Sequence, residues 1–280
     1  MAFELRPSPL AGRWYDADPE TLAHRVDAFL DAAQLPELNG DVIGVIAPHA
    51  GHTYSGSVAG YAFATIRGRS FDLVALVGPM HHPYVEPLLT TAYDAYATPL
   101  GAIPVDKDAV RELDAILRSE LGVGLSPVTQ DREHSLEIEL PFLQRALSSE
   151  WKLLPVMDCA HEPHVSQALG KGLAQVLQGR KFIIVASTDL SHFYDQQTAL
   201  TLDHAMLKAI EDCDPRQAYD LERAGKGFAC GLGALTAVLW AARELGADQV
   251  KILRHATSGN VTGDYSSVVG YSAAVILRGN

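Results

Sequence analysis

The feature that most constrains this chain is a kind of segment that occurs three times: a short apolar run that ends in a histidine-bearing turn. The runs are Asp41-Val-Ile-Gly-Val-Ile-Ala47, Phe71-Asp-Leu-Val-Ala-Leu-Val77 and Lys181-Phe-Ile-Ile-Val-Ala186. Each is short, rich in β-branched residues and closed by turn formers, so each reads as a strand. None alternates apolar with polar positions, which means both faces are covered. Weaker strand patterns lie at Trp151 to Met157, Gln249 to Leu253 and Ser267 to Leu277.

Helical patterns separate the strands. They span Ser55 to Ile66, Asp106 to Glu120, His134 to Leu147, Pro163 to Leu177, Leu200 to Cys213 and Gly231 to Leu245. Asp106 to Glu120 keeps helical apolar spacing at Val110, Leu113 and Leu117. Pro141 is expected to kink the third of these helices. The alternation predicts an α/β fold, a mostly parallel central sheet with helices on both faces. The loop-like stretches Arg6 to Pro19 and Ala92 to Pro104 do not read as flexible linkers, so one domain over 1–280 is expected.

Composition narrows the function. A net charge of −12 disfavours binding to nucleic-acid phosphates. No window approaches the roughly 20 apolar residues of a membrane span, and residues 1–20 lack a signal pattern. The three cysteines, Cys159, Cys213 and Cys230, are too few and too scattered for a disulfide framework or a CxxC zinc knuckle. A cytoplasmic protein with a small-molecule substrate, no nucleic acid and no membrane is expected.

The chemistry sits where the strands end. The first runs into Pro48-His49-Ala50-Gly51-His52, the second into Gly78-Pro79-Met80-His81-His82, the third into Ser187-Thr188-Asp189-Leu190-Ser191-His192. Five of the chain's 11 histidines fall in these segments. Parallel strands bring their carboxyl ends to one edge, where α/β sheets place ligands. Imidazoles far apart in sequence then converge, and imidazole is the commonest ligand for first-row transition metals. A single histidine at a turn is ordinarily a hydrogen-bonded loop residue; the threefold occurrence favours a metal site.

Cys230, in Gly227-Phe-Ala-Cys-Gly-Leu-Gly233 before an apolar helix, has two open readings. It is a thiolate favoured by the helix N-terminus, or a small buried hydrophobe. His134 and Glu137 share a helix face but do not form HExxH. Asp189 lies three residues before His192 and is placed to orient it. Cys159, His161 and His164 read as a solvated helix start rather than a metal motif.

Together these segments resemble the Memo-like family. The resemblance rests on Pro48-His-Ala-Gly-His-Thr-Tyr-Ser-Gly56, Gly78-Pro-Met-His-His82, Glu133-His-Ser-Leu-Glu137, Ser187-Thr-Asp-Leu-Ser-His192 and Cys230-Gly231, which follow the family order and span most of the chain. It implies a fold shared with class III extradiol ring-cleaving dioxygenases, which hold Fe(II) with two histidines and a carboxylate. By motif, His49 and His81 match the histidine ligands, and Cys230 falls where the carboxylate stands in the dioxygenases. His192 matches an acid/base histidine and His134 a further pocket residue, with Asp189 in support. His52 and Tyr54 are placed to touch substrate. Bacterial and archaeal members are expected beside a radical-SAM enzyme, which implies a pathway association.

A thiolate preserves the −1 charge of a carboxylate but is softer, so Cu and Zn become alternatives to Fe(II). It is also oxidisable. Three functions are thereby implied: a dioxygenase-like non-haem iron oxidoreductase acting on a small hydroxylated substrate, a non-catalytic metal- or peptide-binding protein with a redox role, and a zinc hydrolase using metal-bound water.

Overall fold

A computed structural model describes residues 3–160 and 162–279. Twelve strands run in chain order as β1 (Leu5–Arg6), β2 (Asp41–Ala47), β3 (Leu73–Pro79), β4 (Leu88–Thr91), β5 (Ala95–Thr98), β6 (Gly101–Pro104), β7 (Ser126–Val128), β8 (Lys152–Asp158), β9 (Phe182–Ser187), β10 (His192–Tyr194), β11 (Gln249–Thr257) and β12 (Val268–Arg278). The helices are α1 (Pro19–Ala32), α2 (His52–Ala64), α3 (Lys107–Leu121), α4 (Leu140–Ala146), α5 (Pro163–Leu177), α6 (Gln196–Glu211), α7 (Pro215–Arg223), α8 (Leu232–Glu244) and α9 (Gly259–Thr262).

The large sheet has the order β10-β12-β2-β9-β3-β8-β4-β7, with β11 pairing β12. Its heart, β2-β9-β3-β8, is parallel. The flanks are not: β12 runs antiparallel to β2, and β4 antiparallel to β8. The sheet is therefore mixed rather than mostly parallel. Antiparallel neighbours need no long crossover, and β11 returns into β12 through only the short α9.

Helices cover both faces, as the unbroken apolar runs require. Along β2, Val42 and Val45 pack into one core with Leu22, Val26, Phe63 and Phe142 of α1, α2 and α4. Ile43 and Ile46 enter the other, with Leu113, Leu169, Leu173 and Leu239 of α3, α5 and α8. Where α5 packs on α8, a Cβ on Gly170 would stand 2.5 Å from the Ala237 carbonyl oxygen. Gly170→Ala should therefore cost about 1–3 kcal/mol by overpacking. Urea unfolding checks this, and an unchanged midpoint would refute it.

Three local departures have physical causes. Pro141 does not kink a long helix; it occupies the first turn of α4, after a 3₁₀ turn at Glu137–Glu139. Proline is tolerated there because that N–H has no helical partner. Residues 92–104 form the β5–β6 hairpin of a small sheet, β1-β5-β6. Helix α1, absent from the expected set, is capped by Asp18 and buries Leu22, Val26 and Leu30. His161 lies outside the described residues, and His164 is exposed in the first turn of α5. No helix among the described residues is long and apolar enough to cross a membrane.

Candidate metal centre

Because β2, β9, β3 and β8 are parallel, their carboxyl ends, Ala47, Ser187, Pro79 and Asp158, share one edge. The turns after β2 and β3 deliver His49 and His81. The segment between β7 and the Glu137–Glu139 turn delivers His134. The three rings meet, with centroids 5.2 Å apart for His49–His81, 5.3 Å for His49–His134 and 4.3 Å for His81–His134. Their ligand nitrogens all lie within 4.8 Å of one another. Metal–nitrogen bonds of about 2.1 Å draw such atoms roughly 3–4 Å apart, so small ring movements complete the set.

Hydrogen bonds decide which nitrogen faces inward. His81 Nδ1 lies 2.9 Å from Glu133 Oε1, and the His81 backbone N–H donates to Oε2 at 2.6 Å. Burial works against ionising Glu133, but the His81 hydrogen bond and the adjacent His134 hold it well below the usual carboxylate range. An ionised carboxylate only accepts, so His81 Nδ1 carries the proton and Nε2 keeps its lone pair. Glu133 Oε1 also lies 3.1 Å from His134 Nδ1, so one carboxylate orients two imidazoles. This is the outer-shell arrangement that fixes metal-binding histidines, and its loss typically costs 10–100-fold in affinity. Glu133→Gln is expected to weaken metal binding by about that factor. A chelator-competition titration reads it, and an unchanged constant would remove Glu133 from the centre.

His49 is held by a different relay. Its Nδ1 is 3.0 Å from Ser187 Oγ, which donates to the Ser135 carbonyl at 2.6 Å. With that proton committed, Ser187 accepts from His49. Glu139 Oε1 stands 3.0 Å behind Ser187 Oγ, and its Oε2 is buried with no partner among the described residues. Burial raises Glu139 well above the usual range, against the hydrogen bond from Ser187, which works in the other direction. Burial, then the neighbouring His134 and His81, push His49 well below an ordinary imidazole; burial likewise lowers His134 to about 4. Both rings are neutral at neutral pH, the state that binds metal.

Cys230 Sγ lies 3.1 Å from His49 Nε2, just before α8, and receives the Asp189 N–H at 3.2 Å. Burial and the Asp189 carboxyl push this thiol up. The thiol therefore stands beside the inward nitrogen of His49, while the compact three-atom set is completed by His134.

A cavity of 420 Å³ opens over the cluster, lined by Trp14, His49, Tyr54, His81, His134, Asp189, His192 and Tyr271 among others. His192 Nδ1 is 2.8 Å from the Leu190 carbonyl, which fixes the proton on Nδ1. Burial lowers this imidazole, so it stays neutral with a basic Nε2. Asp189 is buried and accepts the His49 backbone N–H at 2.8 Å, bracing the turn; burial raises its carboxyl to about 7. Tyr54, half exposed, borders the cavity. His52 does not: it is 1% exposed, bonds the Ile138 carbonyl through Nε2 at 3.1 Å and packs on Phe142.

Sequence reasoning missed Glu133, Ser187, Glu139 and Trp14. Glu133 and Ser187 adjoin residues already singled out, and that adjacency was the available signal. Trp14 had none. Its ring lies 4.5 Å from His134 because the segment before α1 is tied down by Arg6, which donates to Asp131 and Glu137 at 2.5 Å each and to the Glu133 carbonyl at 2.7 Å.

Comparison with known proteins agrees with the motifs. The family model described as Memo-like protein matches residues 6–275. A MEMO1 family protein of Nitrosopumilus maritimus is 32% identical over 273 residues, covering 96% of this chain and 98% of its own. One of Thermotoga neapolitana is 34% identical over 283 residues, covering 97% and 99%. The crystal structure of an uncharacterized Escherichia coli K12 protein shares the fold at 11% identity with a TM-score of 0.50, covering 84% of this chain and all of that one. The chain belongs to the Memo-like family.

Proposed function

We propose that the protein is a metal-dependent oxidoreductase of the non-haem iron type, acting on a small hydroxylated substrate in the 420 Å³ cavity. The observation that carries this reading is the convergence of three oriented imidazoles beneath a cavity whose wall also holds His192. The donor set fits a transition metal: His49 and His81, with Cys230 or His134 as third donor. Bound Fe(II) would supply open coordination positions for the substrate's oxygens and for dioxygen. The protein's own residues do the rest. His192 Nε2 takes the proton of a substrate hydroxyl, since its base form is populated at working pH. Asp189 holds the His49 turn in place. Trp14, Tyr54 and Tyr271 form an apolar wall that orients the substrate and excludes water. The resemblance to class III extradiol dioxygenases supports this chemistry.

Anaerobically iron-loaded protein should bind nitric oxide and give its paramagnetic signature, altered by catechol-type analogues. No signal, with no analogue perturbing the metal, would falsify the oxygenase reading. A second reading is a non-catalytic metal holder with a redox role. It is favoured by the thiol 3.1 Å from His49 Nε2, an oxidisable group against the centre. Under it Cys230→Ala changes metal retention while turnover is absent in both proteins.

A further inference from the structure

The strand that carries His192 is irregular. β10 pairs His192 with Val269 and Tyr194 with Val268 of β12, so two steps on β10 stand against one on β12. Phe193 is therefore the extra residue of a β-bulge. Its φ is +63°, and among the described residues only Cys213 shares that region without being glycine. A bulge position with positive φ ordinarily takes glycine, and for a bulky residue the conformation is a genuine outlier.

The turn accounts for the conformation. Directly after the bulge the chain must reach Asp195, which caps α6 through the Gln197 and Thr198 N–H groups. The turn does not account for phenylalanine, since glycine would make it without steric cost. Packing does not account for it either, because Phe193 is 76% exposed. A side chain that strains its backbone and buries little of itself points to a use outside the fold. Its surroundings show where that use lies. Phe193 borders the 420 Å³ cavity together with Tyr54, and its ring stands edge-on to His192 with centroids 5.6 Å apart. Bulges next to active sites re-aim a side chain in this way.

We propose that Phe193 is a specificity-determining residue, held by the bulge at the mouth of the cavity so that its ring packs on a flat, unsaturated substrate body beside the His192 imidazole. This rests on the reading of the cavity as the substrate site. It adds a selection that the metal centre does not make: flat rings over saturated rings bearing the same pair of hydroxyls. Aromatic faces gain from packing on one another beyond the area they bury, and a puckered ring offers no such face.

Catechol and trans-1,2-cyclohexanediol are the probes, titrated calorimetrically into the iron-loaded full chain. Phe193→Gly should bind catechol about tenfold more weakly than wild type, and Phe193→Tyr, which keeps the ring, should stay within about twofold. The loss in Phe193→Gly should be smaller for cyclohexanediol. In urea, Phe193→Gly should unfold at a midpoint no lower than wild type, because glycine takes positive φ freely. Weakened binding in an undiminished fold is a combination that a packing role would not give. Equal catechol affinity in wild type and Phe193→Gly overturns the proposal, as does a lowered midpoint or an equal loss for both diols. The two readings fail differently. Catechol that alters the nitric oxide signature of both proteins equally, at equal affinity, removes only the role of Phe193. Catechol that leaves the wild-type signature untouched and does not bind removes the substrate site, and this proposal with it.

Discussion

His49→Ala protein, expressed in iron-supplemented medium, is expected to retain almost no metal. His49 supplies an inward nitrogen held by Ser187 and lies at the meeting point of His81, His134 and Cys230. Its loss should cost more than the roughly 10–100-fold that removal of an outer-shell partner costs. Metal analysis of His134→Ala and Cys230→Ala in parallel identifies the third donor. Metal content unchanged in both His49→Ala and Cys230→Ala refutes the donor set. The pH dependence discriminates further. The His49 and His134 imidazoles are already neutral, because burial lowers them. The Cys230 thiol is pushed up by burial and Asp189, so it surrenders its proton only on binding metal. If it ligates, affinity should rise with pH by about tenfold per unit for the one proton released. That slope should vanish in Cys230→Ala, and a slope that persists there assigns the proton elsewhere.

Arg6→Met is expected to destabilise the protein by about 3–5 kcal/mol. The Arg6 side chain is fully buried and its guanidinium joins Asp131, Glu137 and the Glu133 carbonyl. Glu137 in turn accepts from Ser8, Tyr15 and the Leu10 N–H. Removing the cation leaves two buried carboxylates uncompensated, and that cost is the larger part of the effect. Neutralising them in Arg6→Met/Asp131→Asn/Glu137→Gln should recover part of the loss. Urea unfolding reads both, and a triple variant no more stable than the single one would show that the charge imbalance is not the cause. The same substitution should loosen Trp14 from His134, which a shift in tryptophan fluorescence would report.

Much of this was legible along the chain, and the limits are physical. β2 is bounded as its β-branched run predicts, because a strand buried on both faces must be apolar throughout. The histidines at the ends of β2 and β3 meet because parallel strands leave them no other edge. Whether the flanking strands run parallel was not legible, since apolar runs carry no direction. His134 was legible as a pocket residue, but its place among the three converging rings depends on Glu133 bridging it to His81, a contact between loops with no periodic signal. His52 looked like a neighbour of His49 on one turn. It starts α2 instead, and the helix turns it into the core.

The sheet order bears on how the protein is made. β9 takes its place between β2 and β3, although both precede it in the chain. While a ribosome is still short of residue 182, β2 and β3 have no β9 between them, and each offers an open edge to stray pairing. His49 and His81 come together as a pair only when that late strand slots in and fixes their spacing. Until then the His49, His81 and His134 cluster that could hold a metal ion is incomplete.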